Sequence, residues 1–148
     1  SMVTHGHPES VYGARLFARI LHQALKGREK AEILQQTPEP DAPERIQAIA
    51  NGAYLDKPME EIEGTFFAAQ SLEAAMWCFA RTDSFKEAIR LAVALGGDTD
   101  STAAVCGQVA GAYYGLAAIP APWTTELVKR EEVFAVAERL CQAGCAGK

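Results

Sequence analysis

The residues with the clearest chemistry are Asp98 and Asp100, in the run Leu95-Gly96-Gly97-Asp98-Thr99-Asp100-Ser101-Thr102. Two carboxylates two positions apart, flanked by hydroxyls, offer only oxygen donors. Hard cations such as magnesium or manganese take oxygen ligands in near-octahedral geometry and keep several waters. Gly96 and Gly97 let the backbone turn sharply and carry both acids round one point. Either acid alone has a plainer use, capping a helix and complementing the positive end of its dipole. One acid suffices for that. The second acid, with the Ser101 hydroxyl beside it, is what points to a metal.

Other chemistries are thinner. The cysteines are Cys78, Cys106, Cys141 and Cys145, too few and too scattered for a disulfide framework. Cys141 and Cys145 have the spacing of one helix face, but zinc needs two further ligands, and His5, His7 and His22 lie far away in sequence. The thiols read as structural or incidental, in a reducing cytoplasmic setting. Ser1-Met2 reads as a remnant ahead of the native start, with no signal peptide after it. The net charge of -5, from 14 basic and 19 acidic groups, argues against nucleic acid or an anionic membrane as partner. Even the densest basic cluster, Lys26 to Lys30, contains Glu29.

The elements that must position the acids read as helices, because apolar residues recur at three and four rather than two. With 49% hydrophobic and 22% charged residues, the chain has globular usage and length for one domain. A first helix is expected over Pro8 to Leu25, with Ala14, Phe17, Ala18, Leu21 and Leu25 as its apolar stripe and Gly27 as its stop. Thr37 to Pro43 is a loop with three prolines. Pro43 opens a second helix carrying Ile46, Ile49, Ala50 and Ala53, and Pro58 makes a continuous helix over Leu55 to Gly64 unfavourable. Ser71 is a candidate cap for a helix with Leu72, Ala75, Met76 and Phe79. Ser84 with Glu87 makes a capping box ahead of Phe85, Ala88, Ile89, Ala92 and Val93, and Gly96-Gly97 ends that helix.

The acids then sit at the start of a further helix, beginning near Asp100 or Ser101 and running to about Ala118. Thr102 to Thr125 carries no charge, but it is rich in alanine and glycine and ends in Ile119-Pro120-Ala121-Pro122. It reads as a buried central helix rather than a membrane span. Ala103, Gly107, Gly111 and Gly115 recur every four residues, a bare ridge that calls for a closely crossing neighbour. Val133, Val136, Ala137 and Leu140 mark a last helix, stopped by Gly144. The fold class is all-α, with orthogonally packed helices and a simple bundle both open.

These residues carry a resemblance. Gly96-Gly97-Asp98-Thr99-Asp100-Ser101, then Gly107, Gly111-Ala112-Tyr113-Tyr114-Gly115 and Ile119-Pro120, resembles the ADP-ribosylglycohydrolase family. The likeness extends upstream through Thr82 to Ile89 and Gly64 to Phe79, and back to Thr4-His5 and Tyr12-Gly13-Ala14. The resemblance implies an all-α fold with two magnesium ions in a cleft that also binds ADP-ribose. It makes Asp98, Asp100 and Ser101 metal ligands, where the family more often has threonine in place of Ser101. Asp98 and Asp100 also become the residues that orient the attacking water. His5 falls near the bound ADP-ribose and Phe66 on the nucleoside side of the pocket, against bland readings as a surface histidine and a core phenylalanine.

The implied reaction is hydrolysis of the glycosidic bond between ADP-ribose and a protein side chain, through an oxocarbenium-like state. Members of the family run to roughly twice this length. Residues 1–148 resemble only their C-terminal half, as one partial domain. The N-terminal motifs that supply the remaining ligands are missing, and no Asp-Asp pair occurs in the sequence. The expectation is a partial metal site, inactive alone and completed by an N-terminal half or a second copy. The alternative is a non-catalytic module, either ADP-ribose-binding or structural like the J-crystallins of the same family.

Overall fold

The computed structural model describes residues 2–146, with side chains described as far as residue 144. Every regular element among these residues is a helix, and none is a strand. Residues up to Ala118 form one compact unit, and residues from Ile119 onward form a second.

The first unit opens with α1 (Pro8–Leu25), over the range its periodicity predicts. His7 caps it, its Nδ1 accepting the Glu9 N–H at 3.3 Å. The buried side of α1 is not the expected one. Gly13, Leu16, Ile20 and Ala24 face the core, whereas Ala14, Ala18 and Leu25 are exposed and Phe17 and Leu21 half-buried. The helix is apolar on two adjacent faces, so periodicity alone cannot choose between them. Packing chooses the side of Gly13, which meets Ile46 at ordinary van der Waals distance, an added Cβ lying 3.5 Å from its Cδ1.

A short α2 (Lys30–Leu34), which the spacing does not announce, buries Ile33. After the proline loop comes α3 (Glu44–Ala50), which buries Ile46, Ile49 and Ala50. Ala53 does not extend that stripe; it is exposed in a 3-10 turn, Ala53–Asp56. A second such turn, Met59–Glu61, comes after Pro58.

The helix buried on all sides is α4 (Ala68–Ala80), with Ser71 through Phe79 all out of solvent. Ser71 is therefore not its cap. It lies inside the helix, and its Oγ donates to the Thr65 carbonyl. Glu73, a buried acid, is matched by Lys57 Nζ at 2.5 Å. Trp77 Nε1 and Arg81 Nη2 donate to the Lys57 carbonyl at 2.9 and 3.1 Å, binding the irregular segment to α4.

Next, α5 (Phe85–Ala94) starts at the expected box. Ser84 Oγ accepts the Glu87 N–H at 3.2 Å and donates to Glu87 Oε2 at 2.9 Å. The helix carrying the acids, α6 (Thr99–Tyr114), packs on α1, α4 and α5. It is not buried all round, since Ser101, Ala104 and Gln108 are exposed. It also stops short of Ala118. Gly115 takes φ 80° and closes it, and Leu116–Ala118 is a separate 3-10 turn. At that end Tyr114 Oη donates to the Thr82 carbonyl at 2.9 Å, and Lys30 Nζ donates to the same oxygen while lying 4.9 Å from the Phe79 ring centre.

The second unit holds α7 (Ala121–Thr125) and α8 (Arg130–Ala146), the latter running past the expected stop at Gly144. Its stripe of Val133, Val136, Ala137 and Leu140 is exposed. The Cys145 side chain lies outside the described residues. No helix is long and apolar enough to cross a membrane among the residues described.

Candidate metal centre

The acidic turn is built by two consecutive left-handed glycines after α5, Gly96 at φ 78° and Gly97 at φ 68°. They reverse the chain between Leu95, the last cap of α5, and Asp98, the first of α6. Asp98 stands at the capping position, but its side chain makes no capping hydrogen bond. The plainer use of this acid is therefore not realised. Asp98 acts instead on its neighbour Asp100.

Asp100 is exposed, and its carboxyl is held below the usual carboxylate range. The neighbouring Asp98 side chain is the main cause, followed by the backbone N–H groups of Ser101 and of Asp100 itself. Ser101 is exposed directly beside it. Two ionised carboxylates have only acceptors to offer one another. With the Ser101 hydroxyl they make an all-oxygen donor set that suits a small oxygen-loving cation. The set is partial. Among the described residues no group of three or more His, Cys, Asp or Glu side chains lies close enough to hold a metal.

The structure joins Phe66 to this turn and leaves His5 apart from it. Gly64, two residues before Phe66, accepts the Asp98 N–H on its carbonyl at 2.8 Å. Phe66 is 79% exposed, which removes the core-packing reading, and its ring lies against Phe67 at 4.5 Å between centroids. The pair forms an exposed apolar ledge on the segment that follows Gly64. His5 lies on the exposed turn ahead of α1, with Nδ1 3.0 Å from Thr4 Oγ1. Ser10, Ala14 and Phe17 of α1, Ala68 and Ser71 of α4, and Val105 of α6 line one shallow apolar cleft of about 190 Å³. All three helices thus meet along this cleft.

Sequence reading misses two participants. Gly64 is a lone glycine before an aromatic pair, with no spacing to mark it. Thr102 reads as one more small helical residue, yet it is fully buried and its Oγ1 has no hydrogen-bond partner.

A family model described as ADP-ribosylglycohydrolase matches residues 1–147. The chain is 42% identical over 142 residues to the ADP-ribosylarginine hydrolase Tri1 of Serratia proteamaculans (strain 568), covering 95% of this chain and 38% of that protein. It is 36% identical to the protein of the same name from Pseudomonas putida (strain GB-1), with the same two coverages. Human ADP-ribosylhydrolase ARH3 is 24% identical, across 95% of this chain and 49% of that one. A solved structure titled ADP-ribosylglycohydrolase-related protein complex superposes with a TM-score of 0.83 at 41% identity, covering 90% of this chain and 47% of its own. The chain therefore spans less than half the length of each of these relatives.

Proposed function

Because the chain belongs to the ADP-ribosylglycohydrolase family, we propose that it supplies Asp98, Asp100 and Ser101 to a magnesium-dependent ADP-ribosyl hydrolase site. The bond cleaved is the glycosidic one between ADP-ribose and a protein side chain, with arginine favoured by the likeness to the two Tri1 hydrolases. The single observation that carries this reading is the turn of two left-handed glycines that sets Asp98 at the start of α6 with its carboxylate uncapped, two positions from the exposed Asp100 and next to Ser101. The remaining ligands come from outside these 148 residues.

The donor set fits magnesium: two carboxylates and a hydroxyl, all oxygen. Bound there, the ion supplies Lewis acidity, which acidifies water and orients ribose hydroxyls. The chain's own residues do the rest. In the reaction the anomeric carbon loses its bond to the side-chain nitrogen and gains one to a water oxygen. The water's proton has to be accepted, and the departing nitrogen has to gain one. Asp100, exposed and held ionised, accepts a hydrogen bond from the water and aims its lone pair. Asp98, two positions earlier, is the second carboxylate for the ion and for the water. The Phe66–Phe67 ledge offers an apolar surface to the base of the nucleotide, on which a planar ring can stack. His5 contributes a hydrogen bond to the ligand from the turn before α1.

Release of ADP-ribose from an ADP-ribosylarginine protein, measured with and without a separately expressed N-terminal half of a Tri1-like protein, tests the proposal. The lone chain is expected to release none, and the mixture to release it only with magnesium present. Asp98→Ala or Asp100→Ala should lower the restored rate at least about 100-fold, as loss of a main electrostatic contributor does. An Asp98→Ala mixture as fast as the parent would refute it.

A further inference from the structure

We infer that Gly64 is a positioning residue for the acidic turn, acting through a backbone clasp with Gly97. The inference rests on the reading of Asp98 and Asp100 as the functional acids. Its basis is how closely two distant backbone segments approach. A Cβ added at Gly97 would lie 2.0 Å from the Gly64 carbonyl oxygen, a separation real side chains do not show. A Cβ added at Gly64 would lie 3.0 Å from the Gly96 carbonyl oxygen and 3.2 Å from Thr102 Oγ1. Between them runs the hydrogen bond from the Asp98 N–H to the Gly64 carbonyl at 2.8 Å.

Each part has a consequence for the acids. The Asp98 N–H is one of the donors that a helix start leaves unsatisfied, and here it is spent on Gly64 rather than on a side chain. The Asp98 carboxylate itself takes no part in capping. Gly64 is in turn fixed from below, where the buried Thr102 side chain abuts it, and from behind by the loop that Ser71 binds through the Thr65 carbonyl. The well-ordered surface of α4 thus sets where Asp98 stands. Gly96 provides an internal comparison. It has the same left-handed backbone as Gly97, yet an added Cβ there meets nothing within 4 Å.

The test uses the full chain and two readouts besides activity: amide hydrogen exchange at Asp98, and the Mn²⁺ concentration that broadens the amide NMR signals of Asp98 to Ser101. Gly64→Ala should keep the parent's helical circular dichroism and melt within a few degrees of it. Its Asp98 amide should exchange at least about tenfold faster, and about tenfold more Mn²⁺ should be needed for equal broadening. Gly96→Ala should leave the exchange of the Asp98 amide near the parent's. Unchanged Asp98 exchange in Gly64→Ala overturns the clasp, and so does equal loss in Gly96→Ala. Should Gly64→Ala fail to fold, Gly97→Ala against Gly96→Ala decides by the same exchange. If Mn²⁺ broadens the parent and Asp98→Asn alike, the metal reading fails, while the exchange result still judges the clasp on its own.

Discussion

At the scale of single residues, the buried thiols make the most definite statement. Burial pushes the Cys78 and Cys106 thiols up to about 12 from an ordinary 9.0, and for Cys78 the neighbouring Cys106 adds to it. A group whose folded pKa is raised contributes stability that is whole below its unfolded pKa and is lost as pH climbs through the folded value. The thiols therefore begin to weaken the fold above pH 9. Tyr114, pushed up to about 12 by burial and then by the Asp83 charge, joins them above pH 10, as does the more deeply buried Tyr54, raised by burial alone. Lys30 has the opposite sign. Burial lowers its pKa against the pull of Asp83, so raising pH toward 10.5 relieves rather than adds to its cost. The expected outcome is a urea midpoint that falls steadily from pH 9 to 11, with the fall beginning nearer pH 10 in a Cys78→Ala/Cys106→Ala variant. The same burial predicts reactivity. In a Cys145→Ser background a thiol reagent should label exposed Cys141 at once and the other two only on unfolding. Rapid labelling of all three thiols would contradict the buried geometry.

At the scale of elements, the bare ridge of α6 resolves into three different glycines. At Gly107 an added Cβ would lie 3.3 Å from Ile89 Cδ1, so α5 does cross closely there. At Gly111 the nearest atom is Phe85 Cε2 at 3.7 Å, ordinary contact that leaves room for a methyl. Gly115 has a left-handed φ of 80° and ends the helix. Gly111→Ala should therefore stabilise by up to about 1 kcal/mol, the propensity difference inside a helix. Gly115→Ala should destabilise by about 1 kcal/mol through its backbone strain. Urea denaturation of the two variants checks both signs, and matching shifts would undo the distinction. The contrast shows what a sequence can carry. Capping residues and spacing fix α1 and α5 almost to the residue, because Pro8, Ser84 and Glu87 act on their own neighbours. The acidic turn was legible for the same reason, two glycines and two acids being local. The buried face of α1 was not, because both of its faces are apolar and only contacts with other helices choose between them. Gly64 stayed hidden likewise, since its meaning lies in Gly97, more than thirty positions away.

At the scale of the whole molecule, the two faces of α1 become an argument about partners. A helix apolar on both sides is ordinarily buried on both. In the first unit, the side formed by Gly13, Leu16, Ile20 and Ala24 is covered, while Ala14, Ala18 and Leu25 are exposed, Leu25 to 74%. Phe66 and Phe67 add exposed aromatic surface, at 79% and 57%. Leaving one leucine in water is unremarkable; a leucine, two alanines and a half-covered Phe17 and Leu21 along one helix stripe mark a surface made to be covered. Solved and curated relatives have more than half their length beyond what this chain spans, so there is material in such proteins to cover it. Supplied alone, the chain should meet that need with another copy of itself. Sedimentation at tens to hundreds of micromolar should show concentration-dependent association, and a hydrophobic dye should bind. Ala18→Glu with Leu25→Glu should reduce both while leaving the melting temperature within a few degrees, because neither side chain belongs to the covered face. An N-terminal half from a Tri1-like protein should compete with self-association and displace the dye in the parent, and do so poorly in the double variant. A clean monomer at the highest concentration, without dye binding, would mean that this stripe is content in water and that the second apolar face of α1 has another explanation.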